Sequence, residues 1–562
     1  MSAIESGGHS RLSLLVGLAL GLSLSVPAPA RNVLTADQWR KDLKELAAQL
    51  TQRHRAPFHA VSQYDFEKAV ADLDRRLPDL ADHQVIVEMA RLVAMIGDGH
   101  TRLAFPLSPG IEPVKTHRST PAPADKALLF RRLPLGLYLF KDGLFVQRAA
   151  PEFRHLLGAK VLKVGSVPAE QALESVRGLV SRDNEMGFKN AAPFMLGLSE
   201  VLHAVGLAAS PDRAQFALLD RSGRETSVEL FALPAGVEPA WVYLHEVEPS
   251  PLPLWLKNPK LAFWFEYLKD SGTLYVQINE IGPSEKETFA QFVSRVQDFS
   301  SSQVVNRCVI DLRQNGGGNN YLNRSLTLGL IRAEKLNRQG RLFTIIGRET
   351  FSAAMNLVSQ LEIFTNTLFV GEPTGASPSH YGDARRFVLP ESGLTVRISS
   401  IYWRDWSADE KRTWVSPDIP SEPTMADYLA HRDPALEAIM AFDPDQSLLE
   451  SLREAYALGG LSGAYLRYYK FKTDPANVQV QTEDVLNRLG AYLLEQKKYE
   501  DAGQVFAQNL EDYPDSFEAH LGLGETYLAT QDKAKAAASF ERALKLKPGD
   551  ARAAALLKKA RQ

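Results

Sequence analysis

The chain has a single cysteine among its 562 residues, Cys308, which excludes any disulfide within it. That cysteine lies inside an apolar run, where a thiol behaves as a small hydrophobe. Net charge is also scarce. Sixty-four Lys and Arg against 67 Asp and Glu leave −3, so charge gives no reason to expect nucleic acid or an anionic membrane as a partner. The N-terminal apolar run, Leu12 to Val26, is too short to cross a bilayer comfortably, and no Cys follows it to accept a lipid. Arg11 precedes that run, and Ala28-Pro-Ala30 puts small residues at a cleavage position. Residues 1–30 therefore read as a signal peptide, with export to the periplasm or beyond, a mature start near Arg31 and no membrane span kept. Nothing in the pattern calls for a metal or a cofactor. Exported without disulfides, the protein must rely on large apolar cores.

Its length permits several of them, with about three or four domains expected. Hydrophobic content of 45% and charged content of 23% are those of an ordinary globular protein. The chemistry is concentrated between Val304 and Asp383. Val304 to Asp311, Leu342 to Ile346 and Leu368 to Gly371 are apolar, β-branched runs, each stopping at a polar or glycine-rich turn. Such runs suit strands buried on both faces of a layered α/β core, with reactive groups at the strand ends. Ser352 follows the second run and precedes Ala353-Ala-Met-Asn-Leu-Val, a helix start. A hydroxyl there meets outward-pointing backbone N–H groups that favour negative charge, which suits a nucleophile whose attack creates an oxyanion. Gly316-Gly317-Gly318 can bring bare N–H groups to the same developing charge.

Asp311-Leu-Arg-Gln-Asn-Gly-Gly-Gly318, Thr350-Phe-Ser-Ala-Ala354 and Gly371-Glu-Pro-Thr-Gly375 together resemble the tail-specific protease superfamily. It includes C-terminal processing peptidases, the tricorn protease core and the interphotoreceptor retinoid-binding protein. The resemblance implies a ClpP/crotonase-like α/β core with Ser352 as nucleophile. It also implies an oxyanion hole drawn from Gly317, Gly318 and Ala353. Before it, residues 34–96 read as helices, with Trp39, Leu43, Leu46, Ala47 and Leu50 at helical spacing. That block ends in Gly97-Asp-Gly-His-Thr101, and in tricorn-like members such a loop carries the general base. The resemblance puts that role on His100, and a base is what an unactivated serine needs.

The Ser–Lys dyad of processing peptidases does not fit. The aligned position falls on Ser377, and no Lys occurs from Ala353 to Ser400. An orienting acid has two candidates: Asp98, two residues before His100, and Glu410, one residue off the position where the tricorn-type Glu would stand. His380, 28 residues after Ser352, is a rival base, but with Tyr381 it is rather expected to line the substrate pocket.

The remaining segments give the domain plan. Residues 106–126 are rich in Pro, Ser and Thr and read as a linker. Residues 127–232 carry short β-runs and Gly158-Ala-Lys-Val-Leu162, which resemble a PDZ-like domain, a fold that binds extended peptides by strand addition. Asn184 to Leu202 looks like inserted helix. The α/β core is expected to open at Thr273, within residues 255–440. From 445 onward the chain repeats: Leu489-Gly490 recurs as Leu523-Gly524, and Ala502, Phe506 and Leu510 recur as Ala536, Phe540 and Leu544, all at an offset of 34 residues. That period resembles tetratricopeptide repeats, helix pairs that stack and in places bind proteins. The expected architecture is thus a helical block (31–105), a PDZ-like domain, an α/β core and all-α repeats. The expected function is an exported serine-type peptidase working through an acyl-enzyme on a peptide or protein substrate. The alternative is an inactive member serving as a binding scaffold.

Overall fold

The computed structural model describes residues 33–107, 128–247, 250–405, 410–473, 477 and 480–562. The expected signal peptide and most of the expected linker lie outside the described residues. None of the described helices is long and apolar enough to cross a membrane.

Three helices open the chain: α1 (Ala36–Arg53), α2 (Gln63–Arg76) and α3 (Asp82–Ala94). Thr35 and Gln38 form a capping box that starts α1, which buries Trp39, Leu43, Leu46 and Leu50 along one face. A tight loop from Gly97 to Thr101 leads into the short strand β1 (Arg102–Leu103). An antiparallel module follows. It contains β2 (Leu135–Phe140), β3 (Gly143–Ala149), β4 (Lys160–Val164), β5 (Val167–Pro168), α4 (Ala169–Ser175), α5 (Glu185–Met195), α6 (Ser199–Ala204), β6 (Arg213–Leu219), β7 (Glu225–Phe231) and β8 (Val242–Tyr243). Its strands run in the order β2-β3-β4-β6-β7, with β5 on β4 and β8 on β3. The helical insert expected from Asn184 is present as α5 and α6. Helical block and module share one apolar core, in which Trp39, Val85 and Met89 join Val146, Phe216 and Leu202.

The α/β core begins one strand earlier than expected. After α7 (Leu254–Lys257), β9 (Phe263–Leu268) runs antiparallel to β10 (Thr273–Ile278) as the edge of the sheet. Only its first residues are buried, so its apolar signal is weaker than that of the strands inside. Next come α8 (Phe289–Ser302), β11 (Arg307–Asp311), α9 (Asn323–Arg332), β12 (Leu342–Ile346), α10 (Ala353–Phe364) and β13 (Leu368–Gly371). From β10 to β13 the strands are parallel. Alternate side chains face opposite ways. Cys308, Ile310 and Ile346 pack under α8, α9 and α10, while Val309, Phe343 and Ile345 pack the other face. Burial pushes the Cys308 thiol up to about 12, so it is inert filling.

A bent ribbon then leaves the sheet: β14 (Ser379–Gly382), β15 (Arg385–Val388), β16 (Thr395–Ile398) and β17 (Ile401–Arg404), with β14 on β17 and β15 on β16. Strand β1 adds to β16 at Arg102↔Arg397 and Leu103↔Val396, which carries the preceding loop from the helical block onto the core. Asp42 of α1 reinforces the join, accepting hydrogen bonds from the amides of Glu391 and Ser392 at the ribbon's tip. Strand β18 (Ile419–Pro420) completes the sheet beside β13, and α11 (Met425–Leu429) and α12 (Pro434–Ala441) close the core.

The named elements of the C-terminal part are all helices: α13 (Pro444–Thr473), α14 (Glu483–Glu495), α15 (Tyr499–Asp512), α16 (Phe517–Ala529), α17 (Lys533–Leu546) and α18 (Ala551–Arg561). Helix α13 breaks at Gly459 and Gly460, where the backbone leaves helical geometry, so it acts as a pair of helices. Phe506 and Phe540 fill the space that Gly490, Gly522 and Gly524 leave open, and this explains the repeated glycines.

Candidate functional site

Ser352 sits at the N-cap of α10 with φ 55° and ψ −126°. Few residues with a side chain adopt positive φ, and where one does the conformation is strained and held by its surroundings. Here the surroundings are buried and hydrogen-bonded. Thr350 is buried, its hydroxyl donates to the Leu312 carbonyl at 2.9 Å, and the Gly347 amide donates to that hydroxyl at 3.0 Å. The Phe351 amide donates to the Asn315 carbonyl at 3.1 Å. Behind Ser352, Ala353 to Ser359 are all buried. The serine is thus held in a strand-to-helix turn between two buried elements.

The glycine turn fits closely around it. A Cβ on Gly317 would stand 2.6 Å from the Cβ of Ser352 and 3.2 Å from the Ala353 nitrogen. A Cβ on Gly318 would stand 2.1 Å from the Ile281 carbonyl oxygen, and both glycines have φ in the positive region. One expectation is corrected: the Gly317 amide donates to Asn315 Oδ1 at 2.9 Å, so it is not available to an oxyanion. Among the described residues no acceptor engages the amides of Gly318 or Ala353. Of the three expected donors, those two keep an unengaged N–H.

His100 comes from the other side. Its ring stacks on Phe351, the residue before Ser352, with centroids 4.4 Å apart, and on His380 at 5.6 Å. Both ring nitrogens are buried with no hydrogen-bond partner among the described residues, so in this structure the ring is not bonded to Ser352. Burial, with the neighbouring His380, holds His100 below the ordinary histidine range, as the neutral imidazole.

The loop that carries His100 is held by side chains. Asp98 is buried; its Oδ1 accepts from the amides of His100 (2.8 Å) and Thr101 (2.7 Å) and from the Ser399 hydroxyl (2.9 Å). Its Oδ2 lies 2.8 Å from Nε2 of His54, whose Nδ1 accepts from the Ala56 amide, so Nε2 carries the proton. Burial opposes the Asp98 charge, but the His54 hydrogen bond and the other donors hold its carboxyl below the usual range. Asp98 is therefore a brace for the loop, and its carboxylate makes no bond to the His100 ring. That differs from an orienting role for Asp98, whose hydrogen bonds go to His54, Ser399 and the loop's own amides.

The other expected residues fall as follows. Glu410 bonds Arg412, which also binds Glu362, and this hydrogen bonding lowers the Glu410 carboxyl; no bond from Glu410 reaches His100. His380 is buried, donates its Nδ1 proton to the Ser377 carbonyl at 3.0 Å, and is pulled down to about 4 by burial. It is a packing partner of His100 rather than an open pocket wall. Tyr381 is half-buried, its ring 4.8 Å from His54 and 4.4 Å from His59.

One group at the site is not visible in any motif. Asp183, from the turn before α5, accepts the Gly99 amide on Oδ1 at 2.7 Å, and its Oδ2 is buried. Burial and the nearby Asp98 charge push its carboxyl up to about 7. No local pattern marks it, because Arg182-Asp183-Asn184 reads simply as a helix start.

Comparison with known proteins bears on the fold. Mature CPAF in complex with lactacystin superposes with a TM-score of 0.50 at 13% identity, covering 72% of this chain and 97% of that one. A second structure of mature CPAF gives 0.50 at 15% identity over 72% and 96%. The photosystem II D1 C-terminal processing protease gives 0.31 at 14% identity over 69% and 93%. At such identities the likeness to CPAF is one of fold, and the chain shares that fold over nearly all of the relative's length. The tetratricopeptide repeat family matches residues 493–560. No curated protein matches the chain in sequence.

Proposed function

We propose that the protein is a serine peptidase that cleaves through an acyl-enzyme. The observation that carries this reading is the turn at Ser352: a positive-φ serine on a buried helix start, with Gly317 packed against its Cβ and, among the described residues, no acceptor on the amides of Gly318 and Ala353. That arrangement suits a hydroxyl attacking a carbonyl whose oxygen becomes negative and is met by the Gly318 and Ala353 N–H groups. His100 is neutral, with both nitrogens unengaged, so it can accept the Ser352 proton as the Oγ–C bond forms. The same proton then goes to the leaving amine as the C–N bond breaks. Water, deprotonated by His100, cleaves the ester and returns the proton to Ser352. For this the ring must leave its stack on Phe351 for hydrogen-bond distance of Oγ, a shift of the kind that substrate binding often completes.

The experiment is labelling of the full chain by a small fluorophosphonate, wild type against Ser352→Ala and His100→Ala. Covalent label on the wild type, lost in both variants with unchanged circular dichroism, is the expected result. A folded wild type that takes no label would instead favour the binding-scaffold reading. We also propose export, resting on the Leu12–Val26 run and the Ala28-Pro-Ala30 site. Cell fractionation and the N-terminal residue of the mature chain test that part.

A further inference from the structure

We propose that Asp183 and Asn184 form a positioning clamp through which the antiparallel module sets where two loops of the site stand relative to Ser352. The proposal rests on the reading of Ser352 and His100 given above. The two residues are adjacent in sequence, in the turn ahead of α5, yet they reach different loops. Asp183 Oδ1 accepts the Gly99 amide at 2.7 Å, one residue from His100. Asn184 is buried, and its Nδ2 donates to the carbonyl of Thr374 at 3.0 Å and to that of Thr413 at 2.7 Å. Residue 374 begins the turn that leads to His380, whose ring stacks on His100. The clamp therefore holds both halves of the stacked histidine pair.

The fit leaves no slack. The Oδ1 of Asn184 caps α5, accepting the amides of Met186 (2.9 Å) and Gly187 (3.1 Å), so its side chain is anchored at both ends. At Gly99 an added Cβ would stand 2.8 Å from the Phe351 ring and 3.3 Å from Asp183 Oδ1. The His100 loop is thus wedged between the residue before the nucleophile and the Asp183 carboxyl. Asp98 braces the same loop through His54 and Ser399, but those contacts come from the helical block and the ribbon. Asp183 and Asn184 are the module's share. A module that shifted would carry its turn with it, and both loops would follow. This makes Asp183 a positioning residue, acting on Ser352 through the Gly99 amide and His100.

Full-length Asp183→Ala and Asp183→Asn, each checked by circular dichroism, decide the matter through two readouts. The first is fluorophosphonate kinetics. Asp183→Ala should lower the maximal labelling rate about 10-fold or more while half-saturation moves less than about 3-fold, as expected of displaced reacting groups. Asp183→Asn keeps an acceptor for Gly99 and should stay within about 3-fold of wild type. The second is amide hydrogen exchange, which needs no activity: protection across 97–101 should fall about 10-fold in Asp183→Ala and persist in Asp183→Asn. If Asp183→Ala does not fold, Asn184→Ala tests the other arm, with exchange rising at Thr374, Gly375 and Val415. Unchanged exchange at 97–101 in Asp183→Ala, or an Asp183→Asn as impaired as Asp183→Ala, overturns the clamp. A wild type that takes no label overturns the reading of Ser352 instead, and the exchange result still decides the clamp.

Discussion

The Ser352 turn and the His100 loop meet at one site but are built in opposite ways. The turn is held by backbone and by its own neighbours in sequence: a buried strand before it, a buried helix after it, and the 312–318 segment packed against it. The loop is held by side chains from far along the chain: His54, Asp183 and Ser399. Where the backbone does the holding, excluded volume is the weak point; where side chains do it, the weak point is an unsatisfied buried group. The two halves should therefore break differently.

The largest effect is expected on the backbone side. Gly317→Val would place a branched carbon against the Cβ of Ser352 and require φ near +121° from a residue that avoids it. Labelling at Ser352 should fall by about 100-fold or more, because a displacement of about 1 Å at the reacting atom is enough for that. Since Gly317 gives its amide to Asn315, a milder Gly317→Ala should act through displacement alone. A wild-type labelling rate in Gly317→Val would show that the turn yields more easily than its packing implies.

Next comes the side-chain half. Asp98→Ala removes the acceptor for two amides, one hydroxyl and the His54 Nε2 proton, all within buried surroundings. Losing one partner of such a buried group costs about 3–5 kcal/mol, which urea unfolding would read directly. Asp98→Asn keeps one acceptor oxygen and should cost less. Labelling should fall in both, in the order of the stability loss, whereas Gly317→Val should lose labelling out of proportion to stability.

The same contrast explains what was legible in the sequence. Ser352, the glycine turn and the parallel strands are local patterns, and each sits where its pattern implies. The 34-residue repeat was legible because Phe506 and Phe540 need the same glycines opposite them. His100 was found through its loop motif, which states nothing about what braces the loop. Asp98 stood two residues away and invited an orienting role, yet its hydrogen bonds go to His54 and to the backbone. Asp183 carries no pattern at all, since its importance arises only where the module meets the helical block. Gly317 misled in a related way: the glycine is needed for its missing side chain, and its amide is spent on Asn315.

A smaller effect should appear with pH, and with two signs. His380 is depressed to about 4, so between pH 6.5 and 4 the unfolded chain binds the extra proton. Its contribution is complete above pH 6.5 and is lost as pH falls toward 4, about 3 kcal/mol in all. Asp183 runs the other way. Raised to about 7, it favours the folded state at low pH, and that contribution is lost as pH rises from 4 to 7. The two partly offset each other in the wild type. Asp183→Asn should therefore gain stability more steeply than wild type between pH 4 and 7, and His380→Gln less steeply, both measured by urea unfolding across that range. Parallel curves for all three would mean that neither group titrates differently on folding.

The smallest effect on chemistry is expected from the largest deletion. Helices α13 to α18 bury their apolar residues among themselves: Leu449, Leu452 and Tyr468 with Leu486 and Phe506 in one cluster, Leu521 and Phe540 with Ala553 in another. The α/β core closes its exposed sheet face with α12, through Ala435 and Ile439, before the repeats begin. All the groups assigned to the site precede residue 416, and Asp183, Asn184 and His54 brace them without help from the tail. A chain ending after Phe442 should therefore keep both apolar faces of its sheet covered. Its labelling rate with a small fluorophosphonate should stay within about 2-fold of the full chain, because none of the interactions that fix Ser352 or His100 is removed. Cleavage of a large protein substrate is the activity that would respond, if the repeats hold that substrate as helix-pair stacks commonly do. A truncated chain with native circular dichroism and no labelling would mean that the repeats help form the site, and the division between backbone-held turn and side-chain-held loop would need a third contributor.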